Sequence, residues 1–192
     1  MLPLDDPVWA ELRQCYGSGE EIPVAIRRLQ TQIADGKYSD EELVDLANFC
    51  CHQWSTCDGT YAAIPHLIGI CQELPPASQP RMDLLHLIGW WVACLRLDQT
   101  QASEELIGWF NEALTVARDL TAESLPFVQD DADVSWKLSD FLGAFSALHG
   151  DPALAFVLFE LQEGGADCGQ CGNFIRPLES PMNPFWDEND DT

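Results

Sequence analysis

Cys168-Gly169-Gln170-Cys171-Gly172 is the stretch of this chain whose residue types and spacing most directly spell a chemistry. A CxxC followed by glycine makes a tight knuckle that aims two thiolates at one tetrahedral metal, so zinc is the cofactor it would take. One knuckle is half a site. The remaining ligands would have to come from the Cys50-Cys51-His52 cluster and Cys57, which requires the C-terminal segment to fold back across the early part of the chain. The simpler reading, a pair of unreactive thiols in a glycine-rich loop, takes precedence, and no resident cofactor is expected. Asp130, Asp131 and Asp133 are the second candidate, since neighbouring carboxylates can do general acid–base work or hold a divalent cation. They precede a helical pattern, however, and capping together with the helix dipole would place aspartates there without any catalytic role. The histidines, His52, His66, His86 and His149, show no HExxH spacing, and no phosphate-binding glycine loop or nucleophile elbow occurs. The sequence therefore predicts a binding protein rather than an enzyme.

Charge narrows the kind of binding. Thirty-two acidic residues stand against nine basic ones, a net charge of −23, yet 46% of the residues are hydrophobic, including seven Trp and nine Phe. A disordered acidic chain lacks that apolar content, so the charge must lie outside a packed interior. Such a surface repels nucleic acid and attracts basic partners. Arg27-Arg28 is the only adjacent basic pair, which excludes a phosphate-backbone reader. No run of about 18 apolar residues occurs that could cross a membrane, and the first residues lack the basic and apolar regions of a secretory signal. A cytoplasmic protein is expected. Cys15, Cys50, Cys51, Cys71 and Cys94 fall in apolar runs that read as helical, where free cysteine behaves as a small hydrophobe in a reducing compartment.

The elements that must position these residues read as helices almost throughout. Asp6-Pro7 is an N-cap with proline at the first helical position, opening a short helix that stops at Gly17. Ile22, Ile26, Leu29 and Ile33 form an apolar stripe closed by Asp35-Gly36, and Ser39 with Glu42 forms a capping box for the next helix. Thr60 is expected to cap a helix through Ile70, and a largely apolar helix over 80–97 is expected to be central. Helices over about 103–125, 133–149 and 152–163 follow. Paired, they recur at about 40 residues, over 22–51, 60–98 and 103–149, which is the period of HEAT-like repeats. The predicted fold is all-α, a HEAT-like α-solenoid of antiparallel helix pairs over 1–165, with an irregular helical bundle as the alternative. Residues 166–192 form a short irregular, acidic C-terminal tail carrying the CxxC.

His52-Gln53 followed by Tyr61-Ala62-Ala63-Ile64-Pro65-His66-Leu67 resembles a bacterial family of HEAT-like helical proteins in which a His-Gln pair precedes a Tyr-Ala-Ala-x-Pro-His-Leu helix. The Cys15-Tyr16-Gly17 turn with Ile22-Pro23, the Leu87-Ile88-Gly89 stretch and the Gly150-Asp151-Pro152 turn are similar too, so the resemblance spans most of the chain. In that family the terminal knuckle tends to read Cys-Pro-x-Cys-Gly, and here Gly169 takes the proline's place. Many members stand beside polymorphic toxins as immunity proteins. The resemblance thus implies an antagonist of a cognate protein toxin, one with a basic surface that an acidic partner would cover. Candidate contacts are the acidic Asp130, Asp131 and Asp133, with Trp54, Tyr61 and Trp186 as aromatic anchors. The alternative is a general protein-interaction scaffold whose C-terminal cap holds a structural zinc on Cys168 and Cys171. A carboxylate hydrolase built on Asp131 and Asp133 is a third, minor reading.

Overall fold

The apolar stripes build seven α-helices among the residues that the computed structural model describes, which are 1–39, 41–52, 54–98, 100–128, 138–160, 166–167 and 174–175. In chain order they are α1 (Glu21–Ala34), α2 (Glu41–Cys50), α3 (Asp58–Gln72), α4 (Gln79–Asp98), α5 (Glu104–Ser124), α6 (Leu138–Leu148) and α7 (Pro152–Glu160). Three antiparallel ribbons of two-residue strands join them: β1 (Arg13–Gln14) with β2 (Gly17–Ser18), β3 (Cys51–His52) with β4 (Ser55–Thr56), and β5 (Ala166–Asp167) with β6 (Phe174–Ile175). The protein is therefore mostly helical, with small strand-containing regions that an all-α reading omits.

Local chemistry sets the helix ends. Gly36 closes α1 at φ +66°, donating to the Ile33 carbonyl at 3.1 Å while Lys37 donates to Gln32 at 2.8 Å. That bond pair is the Schellman cap that the Asp35-Gly36 sequence predicts. The same arrangement ends α6, where Asp151 donates to Ser146 at 2.8 Å and Gly150 to Ala147 at 3.2 Å. Ser103 caps α5 by accepting from the Leu106 amide at 3.3 Å.

The N-terminal segment departs from expectation. Asp6 does cap a turn by accepting from the Val8 amide, but the turn is a 3-10 helix over Pro7–Ala10, after which the chain enters the first ribbon. The second ribbon brackets Trp54, between α2 and α3. Thr60 is not the N-cap of α3. The helix starts at Asp58 behind Cys57, and Thr60 Oγ1 instead donates to the Cys50 carbonyl at 2.6 Å, while the Cys57 amide donates to Thr60 Oγ1 at 3.4 Å. A hydroxyl three residues into the helix finds a better acceptor in the open carbonyl at the end of α2. Cys15 and Cys51 accordingly lie on ribbons rather than in helices.

The core is built around α4. Leu84, Leu85, Ile88, Trp91, Val92 and Cys94 are fully buried, and the helix touches α2, α3, α5, α6 and α7. Side chains of this size gain about 1.5–3 kcal/mol each on leaving water, which fixes α4 as the centre of packing. Its closest crossing is with α6 at Gly89, where a β-carbon would stand 2.4 Å from Ala144 Cα. Arg81, 2% exposed, fastens the helix ends: its guanidinium donates to the Leu74 carbonyl at 2.9 Å, the Leu120 carbonyl at 3.2 Å and Glu123 Oε2 at 2.6 Å. The N-terminal residues are held by Trp9 Nε1 donating to Pro3 O at 2.9 Å and by His66 Nε2 bonded to Leu2 O at 2.8 Å.

Candidate functional site

The first two ribbons and the N-terminus of α3 meet in a rim that gathers residues far apart in sequence. The Arg13 amide donates to Asp58 Oδ1 at 2.6 Å, and its guanidinium Nε lies 3.9 Å from Asp58 Oδ2, so β1 is pinned to the start of α3. The Cys15 amide donates to Phe49 O at 2.8 Å, which pins the hairpin turn to the end of α2. Gln14 Nε2 donates to Glu21 Oε2 at 2.9 Å. Between these anchors lies an open cavity of about 320 Å³ lined by Arg13, Gln14, Cys15, His52, Ser55, Thr56 and Cys57.

On its edge, Tyr16 stands 63% exposed at the tip of the first hairpin, with its hydroxyl 2.6 Å from His52 Nδ1 and the two rings 5.1 Å apart. Cys15, Cys50, Cys51 and Cys57 cluster behind that pair. Burial, with the neighbouring thiols adding to it, pushes the Cys15 thiol up to about 12 and the Cys50 thiol well above its ordinary value; burial also raises Cys57. Thiols held protonated at neutral pH are poor nucleophiles, so a Cys–His reaction centre does not fit this rim.

Trp54 continues the rim and is the one described non-glycine residue with positive φ, +68°. Its indole meets Trp90 edge-on with centroids 6.1 Å apart and Phe156 at 4.7 Å, so it is half-buried against α4 and α7. Tyr61 is half-buried in α3, its hydroxyl donating to Thr100 O at 3.1 Å and its ring edge-on to Phe110 at 5.0 Å. Trp54 and Tyr61, two of the three expected anchors, therefore have partners within the fold and show only part of their surface. Asp130, Asp131, Asp133, Trp186, Cys168 and Cys171 lie outside the described residues. The β5–β6 ribbon pairs Ala166 with Ile175 and Asp167 with Phe174, so strands flank the segment that carries the CxxC. Among the described residues no group of three or more His, Cys, Asp or Glu side chains is arranged to hold a metal ion.

Acidic side chains outnumber basic ones on the described surface. On α5, Glu105, Glu112 and Asp119 are exposed and fall seven residues apart, about 10 Å per step along one face. The seven-residue spacing was readable in the sequence; the Tyr16–His52 pairing, across 36 positions, was not.

Comparison of the chain with protein-family models, with curated proteins and with solved structures found no match. No helix among the described residues is long and apolar enough to cross a membrane.

Proposed function

We propose that this chain is a bacterial immunity protein, acting in the cytoplasm, which binds a cognate protein toxin and covers the toxin's basic surface with an acidic one. The observation that carries the reading is the −23 charge carried by an aromatic-rich, helical fold, with the carboxylate line of α5 facing solvent. A toxin that acts on nucleic acid or nucleotides presents a basic cleft, and a partner of this charge is steered into it, with association about 10- to 1,000-fold faster than for a neutral surface. The two-ribbon rim, with Tyr16 and His52 outward, supplies shape beside that charge. Contacts of α1 with α2, of α3 with α4 and, more sparsely, of α5 with α6 support a HEAT-like order of helix pairs as part of the same reading.

Co-expression tests it. The toxin-like gene adjacent to this one is expressed in a sensitive bacterium with and without this protein, and binding of the two purified proteins is measured at low and high salt. Rescue with a complex that weakens as salt rises is expected. Failure to rescue and to bind would overturn the pairing.

The scaffold reading has one observation in its favour, the strand pairing that flanks the CxxC segment. Stoichiometric zinc in purified protein, lost in Cys168→Ser together with a drop in melting temperature, is the result it requires.

A further inference from the structure

We propose that Cys15 and Cys57 form a dithiol pair that closes to an intramolecular disulfide when the chain meets hydrogen peroxide, making the ribbon rim a site of oxidative modification. Cys15 sits in the two-residue turn between β1 and β2, and Cys57 follows β4 directly as the N-cap of α3. Both converge on one carbonyl: the Cys15 amide donates to Phe49 O at 2.8 Å, and the Cys57 thiol donates to the same oxygen at 3.6 Å. The two thiols are close enough for each to perturb the other's titration, and the Cys15 thiol also reaches Ser55 O at 3.8 Å. Sequence spacing does not suggest this pair, since the two residues belong to different hairpins.

Access selects it among the described cysteines. Cys15 is half-buried while Cys50, Cys51, Cys57, Cys71 and Cys94 are buried, and Cys15 and Cys57 both line the open 320 Å³ cavity. An oxidant entering there meets Cys15 first. The Cys15 thiolate attacks one peroxide oxygen, the O–O bond breaks, and the departing hydroxide is protonated to water, leaving a sulfenic acid. The Cys57 thiolate then attacks that sulfur, the S–S bond forms, and the hydroxyl leaves as a second water. Two sulfurs have given up two electrons, and one peroxide has become two waters.

Reactivity is governed by protonation. Burial and the neighbouring Cys57 and Cys51 hold Cys15 protonated up to about 12, and burial raises Cys57. Cys50 at the end of α2, Arg13 on β1, His52 on β3 and Asp58 on α3 are the other ionisable groups around the pair. Closure is therefore slow at neutral pH and accelerates roughly tenfold per pH unit between about pH 7 and 10, whereas an ordinary thiol with pKa about 8.5 levels off above about pH 9.

The test uses the full chain. Purified protein is treated with hydrogen peroxide, remaining thiols are alkylated, and the protein is digested without reduction. Trypsin releases Cys15 in Gln14–Arg27 and Cys57 in Tyr38–Arg81, and further cleavage after Trp54 separates Cys57 from Cys50 and Cys51. A Cys15–Cys57 link, two hydrogens lighter than the sum of its peptides and formed faster as pH rises through 10, is expected. It should be absent from Cys15→Ser. Recovery of Cys15 alkylated, carried to a sulfinic acid or linked to Cys50 or Cys51 in folded protein would overturn the proposal. Because the assignment is made in the wild-type chain, it does not depend on a variant that folds.

Discussion

Trp54 combines a backbone and a side chain that pull in opposite directions. A left-handed conformation costs an L-residue about 1–2 kcal/mol, and the contacts with Trp90 and Phe156 hold it there. Trp54→Ala loses the ring contacts and keeps the backbone cost, whereas Trp54→Gly loses the contacts and relieves that cost. Urea unfolding should therefore find both variants less stable than the parent, with the glycine variant about 1 kcal/mol above the alanine one; equal stabilities would mean that the turn carries no strain. His86 makes a separate prediction. It lies half-buried with Phe159 edge-on at 5.6 Å, and burial pushes its pKa down from 6.5 to about 3. The unfolded chain takes up that proton first, so the stability contributed by neutral His86 is complete above about pH 6.5 and is lost as pH falls towards 3. The slope is at most about 1.4 kcal/mol per pH unit. Unfolding free energies between pH 7 and 4 should fall more steeply for the parent than for His86→Leu. Burial lowers His66 as well, so the variant should keep some of the slope.

The helices were legible because burial imposes a 3.6-residue period over ten or more positions, as in Ile22, Ile26 and Leu29, and because Gly36 and Ser103 mark ends with specific chemistry. The ribbons were not. Strands of two residues carry no alternation, and the sequence between them holds no Asn-Gly, the signature of tight hairpins. The rim was hidden for the same reason: Tyr16 and His52 are brought together by those two ribbons. Packing between helices has its own test at Gly89. An added methyl group there would strike Ala144, so Gly89→Ala should destabilise the protein by about 1–3 kcal/mol despite alanine's better helix propensity, read as a lower urea midpoint. A stabilised variant would mean that α4 and α6 separate freely. The α5 line bears on binding. Replacing Glu105 and Glu112 with Gln and Asp119 with Asn should leave the fold intact and slow toxin association at low salt roughly tenfold, with a shallower salt dependence and little change in dissociation. Unaltered association kinetics would move the contact to another face.

At the scale of the whole molecule, the balance is between an interior large enough to hold seven helices and a surface that repels itself. Buried cations are used sparingly: Arg81 ties the ends of α3 and α5, while Arg13 and Lys37 make exposed pairs with Asp58 and Asp35 that contribute little. Exposed carboxylates such as Glu105, Glu112 and Asp119 face solvent, open to a partner. The position of α4 adds a consequence for how the molecule opens. A linear array whose helix pairs touched only their neighbours would release its amides to deuterium pair by pair, from the ends inward. Here α4 packs on α2, α3, α5, α6 and α7 at once, so its amides can exchange only when the rest comes apart. Its slowest amides should share a single protection free energy equal to that of global unfolding, and a graded set of values along α4 would show instead that the pairs open independently.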